Sequence, residues 1–267
     1  MTDTRHLSAD AVERAARALL DARRSGALLP GLPEDLRPRG LADAYAIHDL
    51  LFALLGEPAA GWFLGCTNPE IQRQLGLPGP YRARLLASTV HEGRPALALD
   101  PARFPSITLE VEFAFRLARD LPARDAPYAA AEVAGAVAAV HPAIEVVTSH
   151  FEDWTRQPIW SLIADNGTDG ALVLGPGRED WRDLDLPAVR ATLEVNGILL
   201  RDGAGAAVLG DPLAALTWLA NDLARAGESL RAGQIINPGT CTAMVPARPG
   251  DRAVARFEGL GAAEVRF

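Results

Sequence analysis

Apolar residues recur at helical spacing in two early stretches. Val12, Ala15, Ala16, Leu19 and Leu20 make one stripe within residues 8–26, and Gly26 ends it. Asp10 with Glu13 resembles a capping box at its start. Tyr45, Ile47, Leu50, Leu51 and Leu54 make a second stripe within residues 42–55, stopped by Gly56. The Pro-rich residues 28–40 connect the two helices. His48 falls near the apolar face of the second helix. It is either a packed, hydrogen-bonded histidine or an acid–base group.

From residue 59 onward strand patterns take over. Residues 59–65, 84–90, 96–99, 106–116, 171–174, 191–195, 198–201, 234–236, 253–257 and 263–267 read as strands. Asn196-Gly197 and residues 258–261 are hairpin turns. Residues 91–93 read as an exposed turn that leaves His91 without a role. Residues 70–75 form a short helix, with Asn68 as N-cap, Pro69 at its first position and Gly76 at its end. The Ala-rich residues 129–140 read as a crossover helix, separated by Pro142 from a strand that carries Glu145. A further helix spans 213–225, with Asp211 as N-cap, Pro212 at its first position and Gly227 past its end. Residues 151–161 hold Trp154, Arg156 and Trp160 and form an irregular lid or pocket wall. Residues 164–170 are a polar turn, either a plain loop or the lining of a site, and 203–205 read as a loop. Two helices followed by many strands with few helices among them make a mixed α+β arrangement.

Composition narrows the chemistry. The 267 residues are 49% hydrophobic and 22% charged, ordinary for a globular chain. No run approaches the ~18 apolar residues of a membrane span, and the first eight residues lack the apolar core of a signal peptide. A membrane partner is not expected, and a cytoplasmic location is. A net charge of −8 argues against nucleic acid as a partner. All 26 basic residues are Arg. Absence of Lys excludes Schiff-base catalysis, a Lys acid or base, and a Walker-type phosphate loop. Cys66 and Cys241 are too few for a disulfide framework, and each reads as a buried free thiol.

The chemistry concentrates in residues 107–145. Glu110 and Glu112 lie two apart in the strand Ile107-Thr108-Leu109-Glu110-Val111-Glu112-Phe113-Ala114-Phe115, so they project side by side. Glu145 is the lone acid between Ile144 and Val146-Val147. An E-x-E strand is either the solvated face of a half-buried sheet or a pair of ligands. A hard divalent ion such as Mg²⁺ or Mn²⁺, with Glu145 as third ligand, would offset both the burial cost and the repulsion.

The chain resembles the fumarylacetoacetate hydrolase superfamily, in its branch of 2-oxo-4-pentenoate hydratases and oxalocrotonate decarboxylases. The resemblance runs through residues 109–113, 142–147, Ala164-Asp165-Asn166, 208–213, 230–233 and Pro238-Gly239-Thr240-Cys241-Thr242. It implies an N-terminal helical region, 1–57, and a metal-binding catalytic domain, 58–267, built as a strand-rich mixed β-roll or sandwich. It implies Mg²⁺ or Mn²⁺ held by Glu110, Glu112 and Glu145, chelating a 2-oxo acid and stabilising its enolate. It also implies substrate contacts from Asn166 and Thr168 and from Gly239 and Thr240, and a homo-oligomer.

Two departures alter that picture. Relatives carry Lys in a G-x-K-x-G segment, where this chain has Gly61-Trp62-Phe63-Leu64-Gly65, so Phe63 takes the place of an acid–base group. An Asp common before the Ala-Asp-Asn turn is also missing, with Ser161 nearby. His48, His150 or Arg156 would then supply proton transfer, or the substrate is more apolar and packs on Phe63. The expected activity is a metal-dependent hydro-lyase acting on a 2-oxo-4-enoate-type acid. The alternatives are a decarboxylase or tautomerase of the same family, or a catalytically silent partner subunit.

Overall fold

The computed structural model describes residues 6–92 and 97–267. The expected turn at Gly93 and the start of the expected strand at Ala96 lie outside them. The helices are α1 (Ala9–Ser25), α2 (Leu41–Leu55), α3 (Pro69–Leu75), α4 (Ala130–Gly135), α5 (Ile159–Ala164) and α6 (Pro212–Arg225). The strands are β1 (Ala59–Gly65), β2 (Tyr81–Leu86), β3 (Val90–Glu92), β4 (Leu97–Ala98), β5 (Thr108–Leu117), β6 (Val137–Val147) and β7 (Ala171–Leu174), then β8 (Arg190–Val195), β9 (Ile198–Ala204), β10 (Ile235–Asn237), β11 (Val245–Pro246), β12 (Arg252–Phe257) and β13 (Gly261–Arg266). The α+β class read from the sequence holds.

The chain divides into two compact units. One lies within Met1–Pro58, Ala102–Ser106 and Val147–Gly170; the other comprises Ala59–Pro101, Ile107–Val146 and Ala171–Phe267. Residues 102–106 and 147–170 thus group with the N-terminal helices, where a single cut after residue 57 would put them with the strands.

In the helical unit, α1 buries Ala11, Ala15, Ala16, Leu19, Leu20 and Ala22, and α2 buries Ala44, Ile47, His48 and Leu51. A fully buried leucine contributes roughly 1.5–3 kcal/mol. Ser8 is the true N-cap of α1, its hydroxyl accepting from the Ala11 N–H. Asp10 therefore lies in the first turn, and the Asp10/Glu13 capping box does not form.

The strand-rich unit holds two sheets. One follows the order β2-β1-β10-β5-β6-β7-β3, with β11 also on β5; the other runs β4-β13-β12-β8-β9. Phe113 of β5 meets Phe257 of β12 edge to face, with ring centroids 4.8 Å apart, so odd-numbered side chains of β5 fill the space between the sheets. The even-numbered side chains, Glu110 and Glu112 among them, project to the other face.

Several expectations for this unit are corrected. The helix expected over 129–140 stops at Gly135, and β6 begins at Val137. The β-branched Val137, Val140, Ile144 and Val146 outweigh the Ala-rich stretch before them, because a strand buried on both faces shows no alternation. Pro142 lies within β6 where the pairing changes register, Ala143 opposite Leu174 but Val140 opposite Arg178. There its missing N–H costs no regular ladder bond, while its carbonyl accepts from Gly175. The strand expected over 84–90 is broken by a turn at Ala87–Thr89, closed by the Thr89 hydroxyl donating to the Leu86 carbonyl. His91 and Glu92 belong to β3, opposite Val173 and Leu174, and Gly203 and Ala204 extend β9.

Candidate metal centre

β5 and β6 are neighbours in the larger sheet, and this adjacency brings Glu110, Glu112 and Glu145 together. One carboxylate oxygen of each lies within 4.8 Å of the others. Glu112 and Glu145 are buried, and Glu110 is partly exposed. Burial pushes the Glu110 carboxyl up to about 7, and a hydrogen bond with Glu112 offsets part of this. Burial pushes Glu112 well above the ordinary carboxylate range, and the charges of Glu145 and Glu110 raise it further. Glu112 and Glu145 are 1% and 5% exposed and cluster with Glu110, which decides against the solvated-face reading of the E-x-E pattern. The donor set is all oxygen, as a hard divalent cation requires.

The segment closing β10 braces these acids. Asn237 Nδ2 donates to Glu145 Oε2 at 2.8 Å, and the Gly239 N–H donates to Glu112 Oε2 at 2.9 Å. Gly239 has φ +114, and a Cβ there would lie 1.9 Å from Thr67 Oγ1, so only glycine fits. The Thr240 hydroxyl donates to Thr242 O inside its own turn and to Val111 O on β5. Asn237 is fully buried, and its Oδ1 has no hydrogen-bond partner. Sequence reasoning passed over Asn237. The available signal was a polar residue closing the apolar pair Ile235-Ile236 just before Pro238-Gly239.

Phe63 is buried on β1, with Asn237 opposite it on β10 and Ala83 opposite it on β2. Paired positions on neighbouring strands share a face, so Phe63 and Asn237 point the same way. Cys66 follows β1 and is only partly buried, where a buried thiol is expected, because the chain turns out of the sheet there; partial burial together with the Glu110 charge pushes its thiol up to about 12. Burial also raises the Cys241 thiol, as do Glu112 and Glu110. Neither is a nucleophile at neutral pH.

The remaining expected site residues belong to the helical unit. His48 is buried between two partners, Asn166 Oδ1 at 2.9 Å from Nε2 and Asp49 Oδ1 at 3.0 Å from Nδ1. Asn166, Gly167 and Thr168 have φ 57, 68 and 70, three successive left-handed residues in a tight turn. A β-branched residue such as Thr168 rarely adopts this conformation. The turn is anchored by Arg23, which donates to Asp165 Oδ1 at 2.8 Å and to Asp169 Oδ1 at 2.6 Å. His150 Nδ1 lies 3.1 Å from Asp165 Oδ2. Arg156 is 81% exposed and pairs with Asp153 at 3.8 Å. Ser161 is buried in α5, and its hydroxyl has no partner.

Comparison with known proteins gives a consistent picture. Residues 85–267 match the family described as fumarylacetoacetate (FAA) hydrolase C-terminal. The chain is 35% identical over 259 residues to a 2-keto-4-pentenoate hydratase of Paraburkholderia phymatum, covering 96% of this chain and 97% of that one. It is 40% identical over 136 residues to a 4-oxalocrotonate decarboxylase of Pseudomonas putida, about half of each protein. Among solved structures, the 4-oxalocrotonate decarboxylase of Pseudomonas putida G7, complexed with magnesium and adipate, superposes with a TM-score of 0.89 at 28% identity, covering 99% of this chain and 100% of that one.

Proposed function

This chain belongs to the fumarylacetoacetate hydrolase family, and from that premise we propose that it is a divalent-metal-dependent hydro-lyase acting on a 2-oxo-4-enoate-type acid. The observation that carries this is the trio of strand carboxylates with ligand oxygens within 4.8 Å. Similarity to a hydratase over nearly the whole chain supports the reaction class. Glu110, Glu112 and Glu145 would hold Mg²⁺ or Mn²⁺, the former being the ion named with the decarboxylase structure. A divalent ion there would supply Lewis-acid chemistry toward a bound 2-oxo acid. The Gly239 N–H and Asn237 keep Glu112 and Glu145 in place. Phe63 gives the face an apolar wall for the carbon chain and carries no proton. The test is the dienol absorbance of 2-hydroxy-2,4-dienoates, followed with purified protein and Mg²⁺ or Mn²⁺. Bleaching that a chelator abolishes is expected. Failure with every chain length under metal-replete conditions would sink the reading.

Decarboxylation of a 2-oxo acid is the second reading. The TM-score of 0.89 to a decarboxylase favours it, and measurement of released CO₂ separates it from hydration. Phe63→Lys tests a third, catalytic silence. Activity appearing only in that variant would mark the natural chain as silenced.

A homo-oligomer is part of the proposal. β9 is the edge of its sheet, and Ile198, Leu199 and Leu200 are 65%, 52% and 39% exposed. Consecutive apolar residues on a sheet edge favour pairing with another chain. No helix among the described residues is long and apolar enough to cross a membrane.

A further inference from the structure

We infer that Asn237 is a fourth member of the cation centre, its Nδ2 positioning Glu145 and its Oδ1 serving as a neutral oxygen ligand. The inference rests on the metal-centre reading above. A buried amide ordinarily satisfies both ends, because an unfilled acceptor away from water costs about 1–3 kcal/mol. Here only one end is filled. Nδ2 donates to Glu145 Oε2 at 2.8 Å, while the fully buried Oδ1 has no donor. Both atoms belong to one planar amide, so the empty acceptor lies within that group of a carboxylate already in the cluster. A cation fills such an acceptor without a proton.

Charge favours an amide at this position. Three ionised carboxylates carry more negative charge than a divalent ion neutralises, and a 2-oxo acid brings another. A fourth carboxylate would add repulsion, whereas an amide oxygen adds a hard donor with none. The local backbone fits the role. Pro238 and Gly239 turn the chain immediately after Asn237, and the Gly239 N–H reaches Glu112. One short segment therefore touches two of the three acids.

The test measures Mn²⁺ binding to the full chain by titration calorimetry and EPR, for the wild type, Asn237→Ala and Asn237→Asp. Removing both functions in Asn237→Ala should weaken binding about tenfold or more. Asn237→Asp keeps an oxygen but cannot donate to Glu145 and adds a fourth negative charge, so it should bind more tightly than Asn237→Ala. Equal affinity of wild type and Asn237→Ala would overturn the inference. So would an Asp variant as weak as the Ala variant, which would leave Asn237 a brace alone. Mn²⁺ ENDOR on protein carrying ¹³C in its asparagine side chains reads ligation directly. A ¹³C coupling that disappears in Asn237→Asp supports ligation; no coupling in the wild type refutes it. A wild type that binds no Mn²⁺ would remove the metal-centre reading itself.

Discussion

Glu112 carries the sharpest conflict in the molecule, since burial and two neighbouring carboxylates all oppose its ionisation. Replacing it with Gln removes a ligand and also removes the repulsion. Glu112→Gln should therefore lower Mn²⁺ affinity by more than about tenfold, yet raise the melting temperature of the metal-free protein. Calorimetry and a melt in chelator check both halves. Arg23 shows the opposite economy. Burial alone would raise the Asp165 carboxyl, but Arg23 and His150 outweigh it and hold it below its ordinary value of 3.8. A folded pKa below the unfolded one contributes stability above pH 3.8, and this is lost as pH falls through the folded value. Arg23→Leu strands Asp165 and Asp169 and should cost about 3–5 kcal/mol at neutral pH. The cost should shrink near pH 4, where the stranded Asp165 takes up a proton. Urea denaturation at the two pH values measures this.

Elements are where local signals and tertiary context parted. Helix caps were legible because capping is settled within a few residues. Asn68, Asp211, Gly26, Gly56 and Gly76 all cap as read, and Asn196 and Gly197 take the positive φ a tight hairpin needs. The bounds of α1 hold, but its cap is Ser8 alone, and the capping box expected at Asp10 and Glu13 does not form. Ser8→Ala should cost about 1 kcal/mol and Asp10→Ala less, a difference that thermal melts resolve. β6 was obscured because an all-buried strand has no period to detect. The Gly239 N–H, expected with Thr240 to meet substrate, donates to Glu112 in this structure. Gly239→Ala should destabilise the fold by more than about 2 kcal/mol through positive φ and collision with Thr67. Adding Thr67→Ala should restore part of that loss.

For the whole molecule, ligand linkage and self-association are the measurable properties. A cation at 100 times its Kd adds about 2.7 kcal/mol to stability, so chelation should lower the melting temperature by several degrees. An apo melt unchanged by added Mg²⁺ or Mn²⁺ would argue against a resident ion. Leu199→Arg on the β9 edge should reduce the mass measured by light scattering, with the secondary structure unchanged.

The chain's own order determined its class, most helix ends, the two hairpins and the identity of the three carboxylates. These depend on periodicity, capping and short spacings, which act over a few residues. Tertiary structure decided what lies between distant segments. It placed β5 beside β6, so that Glu145 joins Glu110 and Glu112, and β10 beside β1, so that Asn237 meets Phe63 in register. It also grouped residues 102–106 and 147–170 with the N-terminal helices. Strand order and burial are properties of the assembled sheet. A carboxylate in a strand pattern therefore reads the same, whether solvated or buried, until its neighbours are known.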